Sequence, residues 1–133
     1  MVSKNMISAG AYTVCTIFVL ILVFVAQSVR KVKKDEQKWS NRSIWVVLFH
    51  IIGLITIIPA AVYTGFEEPN RTLYYMAITF SVALFALMMT EYFSTFARGD
   101  AKAKGLYITA LSVAGISGLI QGVILFTEYS EFE

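Results

Sequence analysis

Four long apolar stretches, separated by short polar segments, dominate the pattern of this chain. They cover residues 7–29, 44–66, 73–93 and 106–126, and none contains Lys, Arg or Asp. Each reaches the roughly 20 residues that a helix needs to cross the hydrocarbon core of a bilayer. Barrel strands would be about 10 residues long and would alternate in polarity. The pattern therefore predicts an all-α fold, a four-span transmembrane helical bundle made of two helical hairpins.

The polar segments leave no room for a second domain. The two longest connections, residues 30–43 and 94–105, are predicted loops, and residues 1–133 form a single transmembrane domain. Hydrophobic side chains make up 57% of the sequence and the mean hydropathy is +0.67. Soluble domains are typically about 45–50% apolar. The composition thus indicates a protein whose solvent is lipid.

The distribution of basic residues predicts the orientation of the spans. The two predicted loops hold nine of the eleven basic residues, and short segments rich in Lys and Arg stay in the cytoplasm. Four spans also require both termini to share a side. We therefore expect a multi-pass protein of the cell membrane with both termini extracytoplasmic. The nine residues are Arg30, Lys31, Lys33, Lys34, Lys38, Arg42, Arg98, Lys102 and Lys104.

Small residues follow one face of the fourth stretch. Four of them are spaced four residues apart and a fifth lies beside them: Ala110, Ala114, Gly118, Gly122 and Gly115. Helices in lipid associate through close van der Waals contact, which small side chains allow. Two neighbours for this helix-packing face stay open, namely the first or second span of the same chain and a helix of a partner protein.

His50 and Glu91 are the histidine and the carboxylate that lie inside the spans, and both fall in the same half of the membrane. Ionisable groups at this depth are functional candidates. As an intramembrane polar pair they could relay protons or join a metal site with the thioethers of Met88 and Met89. The alternative is structural, with each group satisfied by a neighbouring hydroxyl, carbonyl or headgroup.

Catalytic and metal-binding patterns are absent from the sequence. A metal site normally needs three or four ligands, whereas the chain has one histidine and one cysteine. It also has no Gly-rich phosphate loop and no nucleophile beside a base. We therefore assign no catalytic residue, no metal ligand and no cofactor to this chain, and expect no nucleic acid partner.

A basic cluster follows the first span, at Arg30, Lys31, Lys33, Lys34 and Lys38. Such a cluster can bind anionic lipid or an acidic partner protein. The orientation of the spans alone would also produce it, and both interpretations stay open.

The length, the four-span plan and the basic turn RKVKKDE that begins at Arg30 resemble the small additional subunit of archaeal ammonia monooxygenase. This resemblance implies a copper-dependent ammonia-oxidising complex in an archaeal cell membrane, with the copper held by larger partner subunits. It carries no catalytic residue over to this chain. The leading interpretation is a non-catalytic accessory subunit of a larger membrane complex, which could itself be an oxidoreductase.

Two other functions stay open. The first is a small homo-oligomeric channel or exporter, although known four-span exporters of this size have a carboxylate in their first span and this chain has none there. The second is an enzyme acting on lipid or quinone, which would require His50 and Glu91 to work together.

Overall fold

Four α-helices form the protein in a computed structural model, in which the described residues are 4–29, 41–64 and 71–132. The helices are α1 (Lys4–Val29), α2 (Asn41–Thr64), α3 (Arg71–Arg98) and α4 (Ala101–Phe132). Each is long and apolar enough to cross a membrane, and no strand occurs in these ranges. The predicted all-α, four-span bundle is confirmed.

The helices extend beyond the apolar stretches, which changes the segment 94–105. We predicted a loop there, but α3 continues to Arg98 and α4 begins at Ala101, so only Gly99 and Asp100 connect them. Polar residues ended the apolar pattern, but they did not end the helix. A two-residue turn consequently holds α3 and α4 side by side.

Gly99 and Asp100 close this turn by two complementary caps. Gly99 has a φ of 72°, and the amides of Gly99 and Asp100 donate to the carbonyls of Phe96 and Thr95 at 3.1 and 3.2 Å. This is the left-handed cap that favours glycine after a helix. The Asp100 carboxylate then accepts a hydrogen bond from the Ala103 amide at 3.3 Å, which caps the start of α4.

The helices run up and down in sequence order around the bundle. The closest packing joins α4 to α1 and to α3, while α2 packs against α1 and α3. Among the described residues the backbones of α2 and α4 stay apart, because α1 and α3 meet across the centre. We call the end that holds Gly99 the turn end. α1 ends and α2 begins there, whereas Ser8 of α1 meets Gln121 of α4 at the opposite end.

Apolar side chains fill the interior and also cover the outside. The core includes the buried Tyr12, Val23, Ile57 and Met88. Outward-facing side chains such as Leu119 remain largely exposed, at 72%. In water such a surface would be unfavourable, whereas lipid tails solvate it.

Candidate functional site

Polar side chains from all four helices meet at the turn end, inside the bundle. They are Gln27 from α1, Ser43 from α2, Glu91 from α3 and Tyr107 from α4, and none is more than 2% exposed. Polar groups removed from water require hydrogen-bond partners. We call these four residues the polar network.

The Gln27 amide connects the network across three helices. Its Nε2 donates to Ser43 Oγ at 2.9 Å and to Tyr107 Oη at 2.5 Å. Ser43 Oγ in turn donates to Glu91 Oε2 at 3.2 Å. One carboxylate thus ends a chain of hydrogen bonds that begins on α1, and the network links α1, α2, α3 and α4 at a single level.

Arg42 neutralises the carboxylate of this network from its rim. Its Nε lies 2.5 Å from Glu91 Oε1, with 47% of the Arg42 side chain exposed and 3% of the Glu91 side chain exposed. A second nitrogen, Nη2, donates to Ser94 Oγ at 2.7 Å. A buried carboxylate without a cation would be very costly, and the Arg42 guanidinium supplies that cation from the rim of the bundle.

His50 is fully buried but is not joined to Glu91. Its Nδ1 lies 2.7 Å from the carbonyl oxygen of Val46, and a carbonyl only accepts, so Nδ1 carries the proton. The other nitrogen, Nε2, has no hydrogen-bond partner among the described residues. The two side chains of the suggested polar pair therefore have separate partners, Val46 for His50 and Arg42 with Ser43 for Glu91.

The thioethers suggested as metal ligands do not share an environment. Met88 is fully buried, whereas Met89 is 36% exposed. Within residues 4–29, 41–64 and 71–132, no three His, Cys, Asp or Glu side chains lie close enough together to hold a metal ion.

The three glycines of the small-residue face of α4 lie beside α3. Ala110 and Ala114 are buried. The sequence left the first or second span and a partner helix open as neighbours of this face. The side chains closest to its glycines belong to the third span, and α4 also packs closely against α1. These side chains are Phe85, Ser81 and Ile78 for Gly115, Gly118 and Gly122 in turn. The two-residue turn explains this arrangement, because it holds α3 directly beside α4.

A groove of about 530 Å³ lies on the outer surface between α3 and α4. We call it the α3–α4 groove. Gly115 and Gly118 form its floor, and its walls are large apolar side chains including Phe85 and Leu119. A Cβ atom at Gly118 would approach only the Ser81 Cβ, at 3.9 Å. The groove therefore leaves part of the small-residue face uncovered by the chain's own helices.

Sequence reasoning found Glu91 but missed its surroundings. Arg42 and Ser43 were assigned to the predicted loop 30–43, yet both lie in the first turn of α2. A carboxylate inside a span requires a cation, and Arg42 is the basic residue nearest to the second apolar stretch. That requirement was the available signal. The basic cluster at Arg30, Lys31, Lys33, Lys34 and Lys38 lies outside the described residues.

Comparison with known proteins gave no relative for this chain. No family model, no curated protein and no solved structure matches it.

Proposed function

We propose that this chain is a non-catalytic structural subunit of a larger membrane protein complex, which it joins by accepting a partner helix in the α3–α4 groove. The observation that carries the proposal is the uncovered floor of that groove, formed by Gly115 and Gly118. Helices in lipid associate where small residues let backbones approach closely. An apolar transmembrane helix of another subunit has the matching chemistry, since the groove walls are almost entirely apolar side chains.

The internal hydrogen bonds favour a rigid body that presents this groove in a fixed shape. The polar network joins the helices at the turn end. Ser81 and Ser117 bond at 2.9 Å between α3 and α4, and Gln121 Nε2 donates to the Ser8 carbonyl at 2.9 Å at the opposite end. Hydrogen bonds between membrane helices contribute about 0.6 kcal/mol each on average. Distributed over three levels, they oppose sliding of one helix along another.

The same contacts favour a structural role over a channel or exporter. A carrier that couples to protons needs an intramembrane carboxylate that is free to exchange its proton. Glu91 is instead held by Arg42 and Ser43. An enzyme using His50 and Glu91 together would need the two side chains to share a substrate, whereas His50 is directed to Val46.

The complex that we propose to test first is a copper-dependent ammonia monooxygenase of an archaeal cell membrane. The support is the sequence resemblance of the chain to its small additional subunit. In this proposal the copper ligands belong to the larger subunits, and this chain contributes helix contacts only.

The test is a Gly118→Leu substitution followed by co-purification of partner proteins in mild detergent. A leucine side chain would project into the α3–α4 groove and keep a partner backbone away from its floor, so we expect recovery of the partner to fall. Gly118→Ala is the first control, because its Cβ would have an ordinary contact with Ser81 at 3.9 Å. Gly10→Leu is the second, because Gly10 is exposed on α1 with open space around it.

The outcomes separate the candidate functions. Full partner recovery with a correctly folded Gly118→Leu chain, judged by its helical circular dichroism and unfolding midpoint, would contradict docking in the groove. Equal loss with Gly10→Leu would also contradict it, since only residues of α3 and α4 line the groove. A homo-oligomeric channel or exporter predicts that only further copies of this chain are recovered.

A further inference from the structure

A second groove, of about 280 Å³, lies between α2 and α3 at the turn end. We call it the α2–α3 groove. Arg42 and Trp45 lie at its rim, and Leu48, Ile52 and Leu87 line its length. Its polar residue thus stands at one end and its remaining lining is apolar. This division matches the two parts of a phospholipid, a charged headgroup and a hydrocarbon chain.

Arg42 retains hydrogen-bonding capacity after it has paired with Glu91. A guanidinium has five N–H donors, and Arg42 uses one toward Glu91 and one toward Ser94. Three donors therefore have no partner within the described part of the chain, and the side chain is 47% exposed. The planar guanidinium suits two oxygens of one phosphate group.

Trp45 and the length of the groove agree with a position of Arg42 at the headgroup level of the bilayer. Trp45 follows Arg42 by three residues on α2 and is 70% exposed, as is typical of indoles at the headgroup level. Ile52 lies ten residues beyond Arg42, which is about 15 Å along a helix. That length is about half of a 30 Å hydrocarbon core, which corresponds to one acyl chain in one leaflet.

We propose that the α2–α3 groove binds one phospholipid, with its phosphate on the free donors of Arg42 and an acyl chain along Leu48 and Ile52. A transmembrane helix fits less well, because it would cover Arg42 without providing an anion. The Glu91 carboxylate already neutralises part of the positive charge of Arg42. Removing that carboxylate is therefore expected to strengthen lipid binding. This site is independent of the α3–α4 groove and of any partner subunit.

The test measures lipid retained by the full chain in detergent micelles, by native mass spectrometry after addition of phosphatidylglycerol. Diacylglycerol with the same acyl chains serves as the probe that lacks phosphate. We expect phosphatidylglycerol to be retained more, and Arg42→Gln to reduce its retention about fivefold, the factor expected for one basic residue at an anionic headgroup. Glu91→Gln is expected to raise it.

A groove-filling variant keeps the test independent of the polar network. Leu48 is 41% exposed and lies outside the network, so Leu48→Trp should displace the acyl chain and reduce retention without affecting the Arg42 pair. Val14→Trp, at a position on α1 that is 68% exposed, is the matched control and should retain lipid.

Several results would overturn this site. Equal retention of phosphatidylglycerol and diacylglycerol would exclude recognition of phosphate by Arg42. Unchanged retention in Leu48→Trp would place the lipid elsewhere, and so would loss of retention in Gly118→Leu. Displacement of the lipid by inorganic phosphate alone would mean that the acyl chain makes no contribution.

Discussion

Arg42 and Glu91, 49 residues apart in sequence, form an ion pair of 2.5 Å between Nε and Oε1. Glu91 is buried between the helices, whereas Arg42 reaches it from a half-exposed position at the rim. The arginine side chain therefore stays half-exposed while its guanidinium pairs with a carboxylate inside the bundle. This arrangement avoids much of the desolvation cost that two fully buried ions would have.

The pair predicts a strong coupling between two substitutions. Arg42→Met should lower the free energy of unfolding by about 1–3 kcal/mol, because it leaves a buried carboxylate with one partner fewer. Adding Glu91→Gln should recover part of this loss, since an amide in the same place carries no charge. Unfolding by a denaturing detergent in mixed micelles would measure the free energy of unfolding of all four proteins in this double-mutant cycle: the wild type, the two single variants and the double variant.

The single variant Glu91→Gln supplies the reference for that cycle, because it retains an oxygen that can accept from Ser43. If the two substitutions had simply additive effects, the charges would not interact and the geometry of the pair would be wrong. A larger loss in the double variant than in Arg42→Met would contradict the prediction as well.

A second prediction concerns the contact of Gly53 with Tyr12, where α2 crosses α1. A Cβ atom at position 53 would overlap the Tyr12 hydroxyl, and Phe80 Cδ1 lies 3.3 Å from the same point. Gly53→Ala should therefore destabilise the bundle by about 1–3 kcal/mol through overpacking. Tyr12→Phe removes the overlapping oxygen, so the double variant should be more stable than Gly53→Ala alone.

Gly105→Ala is the matched control for this substitution. Gly105 is exposed on α4, and a Cβ atom at this position would have nothing within 4 Å. Alanine in a helix interior is favoured over glycine by about 1 kcal/mol. Gly105→Ala should thus be neutral or stabilising under the same unfolding measurement. A neutral result for Gly53→Ala would show that α1 and α2 are less closely packed than the structure describes.

The spans could be predicted from sequence because hydropathy is a local property, read along each segment in turn. The partners of individual residues could not, because they depend on the register between helices. Glu91 was recognisable as a group in need of a partner, but identifying Arg42 required knowing that α2 begins at Asn41. The expectation of His50 as the partner came from its membrane depth and from the short loop between the two spans, and neither of these determines the direction of its ring.

The small-residue face illustrates the same limit. Its positions on α4 followed from a spacing of four residues, and its packing role followed from side-chain size. Its neighbour depended on the connection between helices, which the sequence pattern overestimated as a 12-residue loop from 94 to 105. Asp100 and Gly99 carried the signal of a tight turn, as an N-cap residue after a glycine.

The last prediction tests the orientation that the basic residues indicate. Lys102 is exposed in the first turn of α4, and Lys33 belongs to the sequence between the end of α1 at Val29 and the start of α2 at Asn41. Short segments rich in Lys and Arg remain cytoplasmic.

In a Cys15→Ser background, Lys33→Cys and Lys102→Cys should react with a membrane-impermeant maleimide only after the cells are permeabilised, whereas Lys4→Cys at the start of α1 should react in intact cells. Labelling of Lys33→Cys in intact cells would show that the orientation is opposite to the one predicted here. Labelling of only one of Lys33→Cys and Lys102→Cys would contradict the up-and-down bundle itself, because α1 ends and α2 begins at the end of the bundle where α4 begins.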